Sequence, residues 1–187
     1  MPAEINDAAV TMIVDTGTQW TAITPETVKR LGLPPDPWNG GLHRGVATFS
    51  SSVNAVTRTF RIGGITLEGR SLSVVPLVTG SKVSPPVAGL LGADFLFAFD
   101  LDIDLPLRRL TLYPARGCLT RTPPWDIAVA ALPLVKSATN RLTLAASVDG
   151  HPFRAILDTG ATLHVHGLTD IQSATQAAEA LRPLAGQ

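Results

Sequence analysis

The sequence predicts an all-β fold, and three observations support that prediction. Turn-forming residues are abundant and scattered, with 16 glycines and 15 prolines among 187 residues, which suits many tight turns between short strands better than long helices or a single linker. Two dipeptides with hairpin chemistry, Asn6-Asp7 and Asp149-Gly150, each follow an apolar residue, as the turn of a two-stranded ribbon does. Each is followed within a few residues by three consecutive apolar positions, Met12-Ile13-Val14 and Ala155-Ile156-Leu157, which read as buried strands.

The remaining elements follow in chain order. Thr24-Pro25-Glu26 predicts a helix N-cap with proline in the first turn, opening a short helix that ends near Gly32. Pro34, Pro35 and Pro37 predict a loop, and Gly40 to Ser52 is a glycine- and serine-rich stretch. Thr57 to Ile62 alternates with the period of a strand before Gly63-Gly64 turns the chain. Ile65 to Leu67 and Ser71 to Leu77 continue the sheet, Val87 to Leu91 is a buried run ending at Gly92, and Ile103 to Tyr113 reads as a hairpin turned near Pro106. A helix is expected from Leu168 to Leu184, which is rich in Ala, Gln and Glu.

Composition narrows the function. Fifteen basic and fifteen acidic residues cancel, so no long-range field attracts a phosphate backbone, and nucleic acid is not an expected partner. The longest apolar run, Ile127 to Val135, is far short of the roughly 20 residues of a membrane span. Cys118 is the sole cysteine, so no internal disulfide forms and the residue reads as a small apolar filler. The first ten residues carry Glu4 and Asp7 and no basic cluster, so no secretory signal is read there, and the sequence leaves the compartment open.

The chemistry sits in an internal repeat. Ile5 to Thr18 and Val148 to Ala161 match without a gap, both apolar runs end in Asp-Thr-Gly, and Asp15 and Asp158 stand 143 residues apart. A given tripeptide recurs by chance roughly once in several thousand positions, so two copies at corresponding points of two hairpins mark a duplicated unit. A carboxylate at the end of a buried strand, in a tight Thr-Gly loop, is suited to meeting a second carboxylate across a symmetry axis. Glycine allows the close backbone approach, and the threonine hydroxyl can bond across to the facing loop. Two carboxylates about 3 Å apart do not both ionise readily and share one proton. One then serves as general base on a water while the other donates to a carbonyl.

On these residues the chain resembles the retropepsin-like aspartic proteases, most closely the bacterial members with tandem lobes. The matching segments are Val14-Asp15-Thr16-Gly17-Thr18, the Gly40 to Ser52 stretch in the place of a flap hairpin, and Gly89-Leu90-Leu91-Gly92-Ala93-Asp94. The resemblance implies a closed β lobe at residues 1–116, a proline-containing linker at 117–138 and an incomplete second lobe at 139–187 ending in the helix. It also implies an aspartic endopeptidase acting on peptide or protein substrates without cofactor or metal. Asp15 and Asp158 would be catalytic, Thr16, Gly17, Thr159 and Gly160 would support the loops, and Gly40, Gly41, His43, Arg44 and Gly45 would cover the substrate. The family resemblance also allows export of a longer form. The second copy lacks a flap and an apolar-apolar-Gly segment, since only 27 residues follow Gly160. Two pairings therefore stay open, Asp15 with Asp158 or, in a homodimer, Asp15 with Asp15 of a second chain.

Other constellations are weaker. His164 and His166 alternate as two ligands on one strand face would, but no third residue has a convincing spacing for a metal. Asp100, Asp102 and Asp104 imitate a calcium loop, but Leu105 and Thr111 occupy the positions that need Gly and Glu. Without a competent pair of aspartates, the same fold would be a peptide-binding or assembly module.

Overall fold

The computed structural model describes residues 1–44, 49–77, 83–114, 130–136 and 141–161. Strands dominate. β1 (Pro2–Ile5) and β2 (Ala8–Val14) form a hairpin, followed by β3 (Ala22–Ile23), helix α1 (Pro25–Leu31), β4 (Pro35–Arg44), β5 (Phe49–Ile62), β6 (Ile65–Val74), β7 (Val87–Leu91) and the short helix α2 (Ala93–Leu96). The sheet order is β1-β2-β7-β3-β6-β5-β4, and β1 also pairs with β5 through Glu4↔Arg61 and Ile5↔Phe60. That last pairing closes six strands into a barrel and leaves β4 outside as an added edge strand. Closure gives β1 a partner on each side, so β4 is the sheet's remaining edge.

The barrel closes around Ile5, Val10, Met12, Ile23, Phe60, Ile62, Leu72, Leu91 and Leu96, all at most 2% exposed. Each large side chain buried this way contributes about 1.5–3 kcal/mol. The turn that starts the barrel depends on Asn6 and Asp7, with φ of 49° and 68°, the left-handed region that Asn and Asp tolerate best after glycine. The Asn6 side chain accepts hydrogen bonds from the N–H groups of Arg58 and Thr59 at 2.7 and 3.0 Å, which ties the hairpin to β5. Helix α1 starts as expected: Thr24 is the N-cap, its hydroxyl accepting from Thr27 N at 3.1 Å, and Gly32 follows the last turn.

Two smaller sheets follow the barrel. β8 (Phe99–Asp104) and β9 (Arg109–Pro114) form a hairpin whose Phe99, Leu101 and Leu112 pack against the barrel core. β10 (Val135–Lys136), β11 (Leu142–Val148) and β12 (His151–Ile156) form a three-stranded antiparallel sheet. β11 and β12 turn through Asp149-Gly150 with φ of 50° and 79°, close to the geometry of the first hairpin.

Several expectations are corrected here. Pro35 and Pro37 lie within β4 rather than in a loop. β4 is an edge strand, Pro35 is its first residue and Pro37 falls where pairing with β5 is interrupted, all places where a missing N–H is tolerated. β6 runs unbroken through Gly69, and the run that ends at Gly92 leads directly into the short helix α2. Ile156 and Leu157 are 42% and 43% exposed rather than buried. The reason is the neighbourhood: β2 lies between β1 and β7, whereas among the described residues β12 has only β11 beside it. The expected helix from Leu168 to Leu184 lies outside the described residues, as do His164, His166 and positions 117–129 and 137–138 of the expected linker, while β10 falls within the rest of that linker.

Candidate active site

Asp15 follows the end of β2, where its own N–H donates to the carbonyl of Leu91 on β7 at 3.0 Å. The chain then turns, and the Asp15 Oδ1 accepts the N–H groups of Gly17 and Thr18, both at 2.9 Å. Aspartate is suited to this position because its short carboxylate can satisfy the backbone N–H groups two and three residues further on. Asp158 repeats the arrangement after β12, its Oδ1 accepting from Gly160 N at 2.8 Å.

The two loops meet. The Thr16 hydroxyl, 2% exposed, donates to the carbonyl of Leu157 at 2.7 Å and accepts from Thr159 N at 3.1 Å. The Thr159 hydroxyl donates to the carbonyl of Val14 at 2.8 Å and accepts from Thr16 N at 3.2 Å. Each threonine thus caps the strand end and the loop amide of the other hairpin, giving four cross-loop bonds in a pseudo-twofold arrangement. The glycines fit this closeness: a Cβ added to Gly17 would collide with the Asp158 carboxylate, and one added to Gly160 with that of Asp15.

The Asp15 carboxyl is pushed above the ordinary carboxylate range, first by burial and then by the negative charge of Asp158. The amides of Thr18 and Gly17 pull the other way and do not reverse the shift. The environments differ, since Asp15 is partly buried and Asp158 is exposed. In an arrangement of this kind one carboxyl holds a proton at a pH where its neighbour is ionised.

A second layer of bonds holds the Asp15 loop. The Asp94 Oδ1 accepts from both the N–H and the hydroxyl of Thr21 at 2.7 Å each, and the Thr21 hydroxyl accepts from Gly92 N at 3.1 Å. Ala93 N and Asp94 N donate to the carbonyls of Thr18 and Gln19. The segment after β7 is therefore fastened along the chain that follows Asp15. Sequence reasoning assigned no role to Thr21 or Asp94, and the only available signal was the position of Asp94 in the Gly-Ala-Asp run.

The remaining expected site residues lie in the β4–β5 hairpin. Gly40 and Gly41 pair with Val53 and Ser52, and the backbones of His43 and Arg44 pair with Ser50 and Phe49. Gly45 lies outside the described residues. Among the described residues no three His, Cys, Asp or Glu side chains are grouped to hold a metal ion, and no helix is long and apolar enough to cross a membrane.

A model of the family described as aspartyl protease matches residues 1–95. The chain belongs to the aspartyl protease family. The match spans Asp15, Thr16 and Gly17 and the β7 support, whereas Asp158 lies beyond it. Among solved structures the chain is similar to a retropepsin-like aspartic protease from Rickettsia conorii, with 19% identity, 56% of this chain and 74% of that chain covered, and a TM-score of 0.41. No curated protein matches the chain.

Proposed function

We propose that the protein is an aspartic endopeptidase in which Asp15 and Asp158 of one chain activate a water molecule between them. Asp15 begins protonated and donates to the carbonyl oxygen of the scissile peptide bond. Asp158 takes a proton from the water as the water oxygen attacks the carbonyl carbon. The gem-diol intermediate then collapses: Asp158 gives its proton to the leaving nitrogen as the C–N bond breaks, and a hydroxyl of the diol returns a proton to Asp15 as the product carboxyl forms, so the pair ends with one proton, as it began. Thr16, Gly17, Thr159 and Gly160 keep the carboxylates opposed, and Gly40, Gly41, His43, Arg44 and Gly45 close over an extended peptide and limit water. Residues 1–116 act as a lobe and 139–187 as a partial second copy joined through 117–138.

The observation that carries this reading is the reciprocal bonding of Thr16 and Thr159, which sets two unlike carboxyls face to face. Family membership adds a class of chemistry and, with it, peptides as substrates. Incubation with a mixed peptide library at acidic pH, followed by mass spectrometry, tests it: cleavage by the parent that is absent in Asp15→Asn supports the reading, and an inert parent refutes it.

The exposure of Asp158 favours a second reading. A carboxylate open to water on a sheet with one flank unpaired among the described residues is loosely supported. In that case the fold would bind peptides or direct assembly without hydrolysis, or Asp15 would pair with Asp15 of a second molecule.

A further inference from the structure

Among the described residues the most solvent-exposed large apolar side chain is Trp38, at 91%. It is held out by a built feature. β4 pairs with β5 at Pro35↔Ala55 and resumes at Gly40↔Val53, so Asp36, Pro37, Trp38 and Asn39 stand opposite Asn54 alone. Such a bulge redirects a side chain while the sheet continues on both sides. Asp36, 7% exposed, anchors it, with its Oδ1 accepting from Trp38 N at 3.0 Å and its Oδ2 from Asn39 Nδ2 at 2.7 Å. The Ser71 side chain also bonds to Asp36, and the Ser71 hydroxyl accepts from Asn54 Nδ2 at 3.1 Å. A buried carboxylate and three further polar side chains thus hold a tryptophan in water, where the hydrophobic effect alone would not leave it.

The same network borders an apolar groove of about 240 Å³ between α1 and the foot of the β4–β5 hairpin. Val28, Leu33, Pro35, Val53 and Val74 contribute its apolar walls, and Lys29 is its one charged lining residue. Val53 is 54% exposed. Asn54 also lines the groove, and its Oδ1 is buried with no hydrogen-bond partner among the described residues.

We propose that Trp38 and this groove form a docking surface for an extended polypeptide segment that carries a bulky apolar side chain beside an acidic one. The apolar side chain fills the groove, Trp38 lies against the neighbouring backbone, and the carboxylate meets Lys29. Tryptophan on a fixed mount is the residue type that dominates such contacts, and the charge of Lys29 selects the acidic neighbour. The surface shares no residue with the aspartate loops, so the proposal stands whether or not those loops are hydrolytic.

The test uses the full chain carrying Asp15→Asn, so that cleavage does not intervene, and a fluorescein-labelled decapeptide with Asp-Leu-Phe-Asp at the centre of a Gly-Ser sequence. Anisotropy titration should show saturable binding that weakens tenfold or more in Trp38→Ala and is largely retained in Trp38→Phe, with unchanged circular dichroism in both. Lys29→Glu should lose the acidic peptide and gain the one in which both aspartates are lysines. Equal affinity in Trp38→Ala, no binding at all, or no exchange of charge preference overturns the proposal. Sedimentation without peptide gives the remaining outcome: a dimer that Trp38→Ala dissociates would assign the surface to a second copy of the chain and overturn the peptide partner.

Discussion

Thr16 and Thr159 each cap the other's hairpin, with hydroxyl donors to Leu157 O and Val14 O at 2.7 and 2.8 Å. The exchange is symmetric in bonding and asymmetric in burial, because Thr16 is buried and Thr159 is exposed. Thr16→Val keeps the shape, strips the donor from Leu157 and leaves Thr159 N without its acceptor. The expected loss is about 1–3 kcal/mol, measured as a lower urea midpoint, with a parallel fall in cleavage. Thr159→Val should cost less, and the double variant should fall short of the sum, since both residues serve one network. A Thr16→Val midpoint equal to the parent's would show that the cross-loop bonds do not hold the site.

The raised pKa of Asp15 makes a signed prediction about pH. A carboxyl whose folded pKa lies above its unfolded value binds its proton more tightly in the folded state, so it carries no penalty below the unfolded value. Stability is lost as pH rises from there through the folded value. Asp15→Asn removes that titration. Thermal melts should find the variant more stable than the parent at neutral pH and the two equal near about pH 3, below the ordinary carboxylate range. Relative stabilisation of the parent with rising pH would contradict the burial and charge that raise this group.

Close approach at the barrel seam gives a prediction independent of catalysis. Gly89 on β7 lies so near β3 that an added Cβ would collide with the carbonyl of Ala22, and the obstacle is backbone on a paired strand. Gly89→Ala should therefore destabilise by about 1–3 kcal/mol, the usual range for overpacking, as read in denaturant melts. An unchanged midpoint would mean that the seam can open at little expense.

Local chemistry made much of this legible in advance. Asn6-Asp7 and Asp149-Gly150 announced their hairpins because few residues accept positive φ, and Thr24-Pro25 announced α1 because capping is a local bond. The facing Asp15 and Asp158 loops were legible because the segments around them match in sequence without a gap. What escaped depends on partners distant in sequence. The prolines of β4 read as loop formers until the strand is seen at the edge of the sheet. The clamp of Thr21 by Asp94 spans 73 residues, and the exposure of Ile156 reflects that β12 has β11 alone beside it among the described residues, which no local pattern records. The Trp38 bulge was hidden for the same reason, since its anchor, Asp36, is fixed by Ser71 on another strand.

The proposed catalytic pair is Asp15 and Asp158 of a single chain. The most direct measurement is peptide cleavage by the parent, Asp15→Asn and Asp158→Asn, each with its mass determined in solution under assay conditions. The predicted result is a monomeric parent that cleaves at acidic pH and is silenced by either substitution, with the fold retained. A dimeric enzyme whose activity survives Asp158→Asn would contradict the account and assign the partner carboxylate to Asp15 of a second molecule.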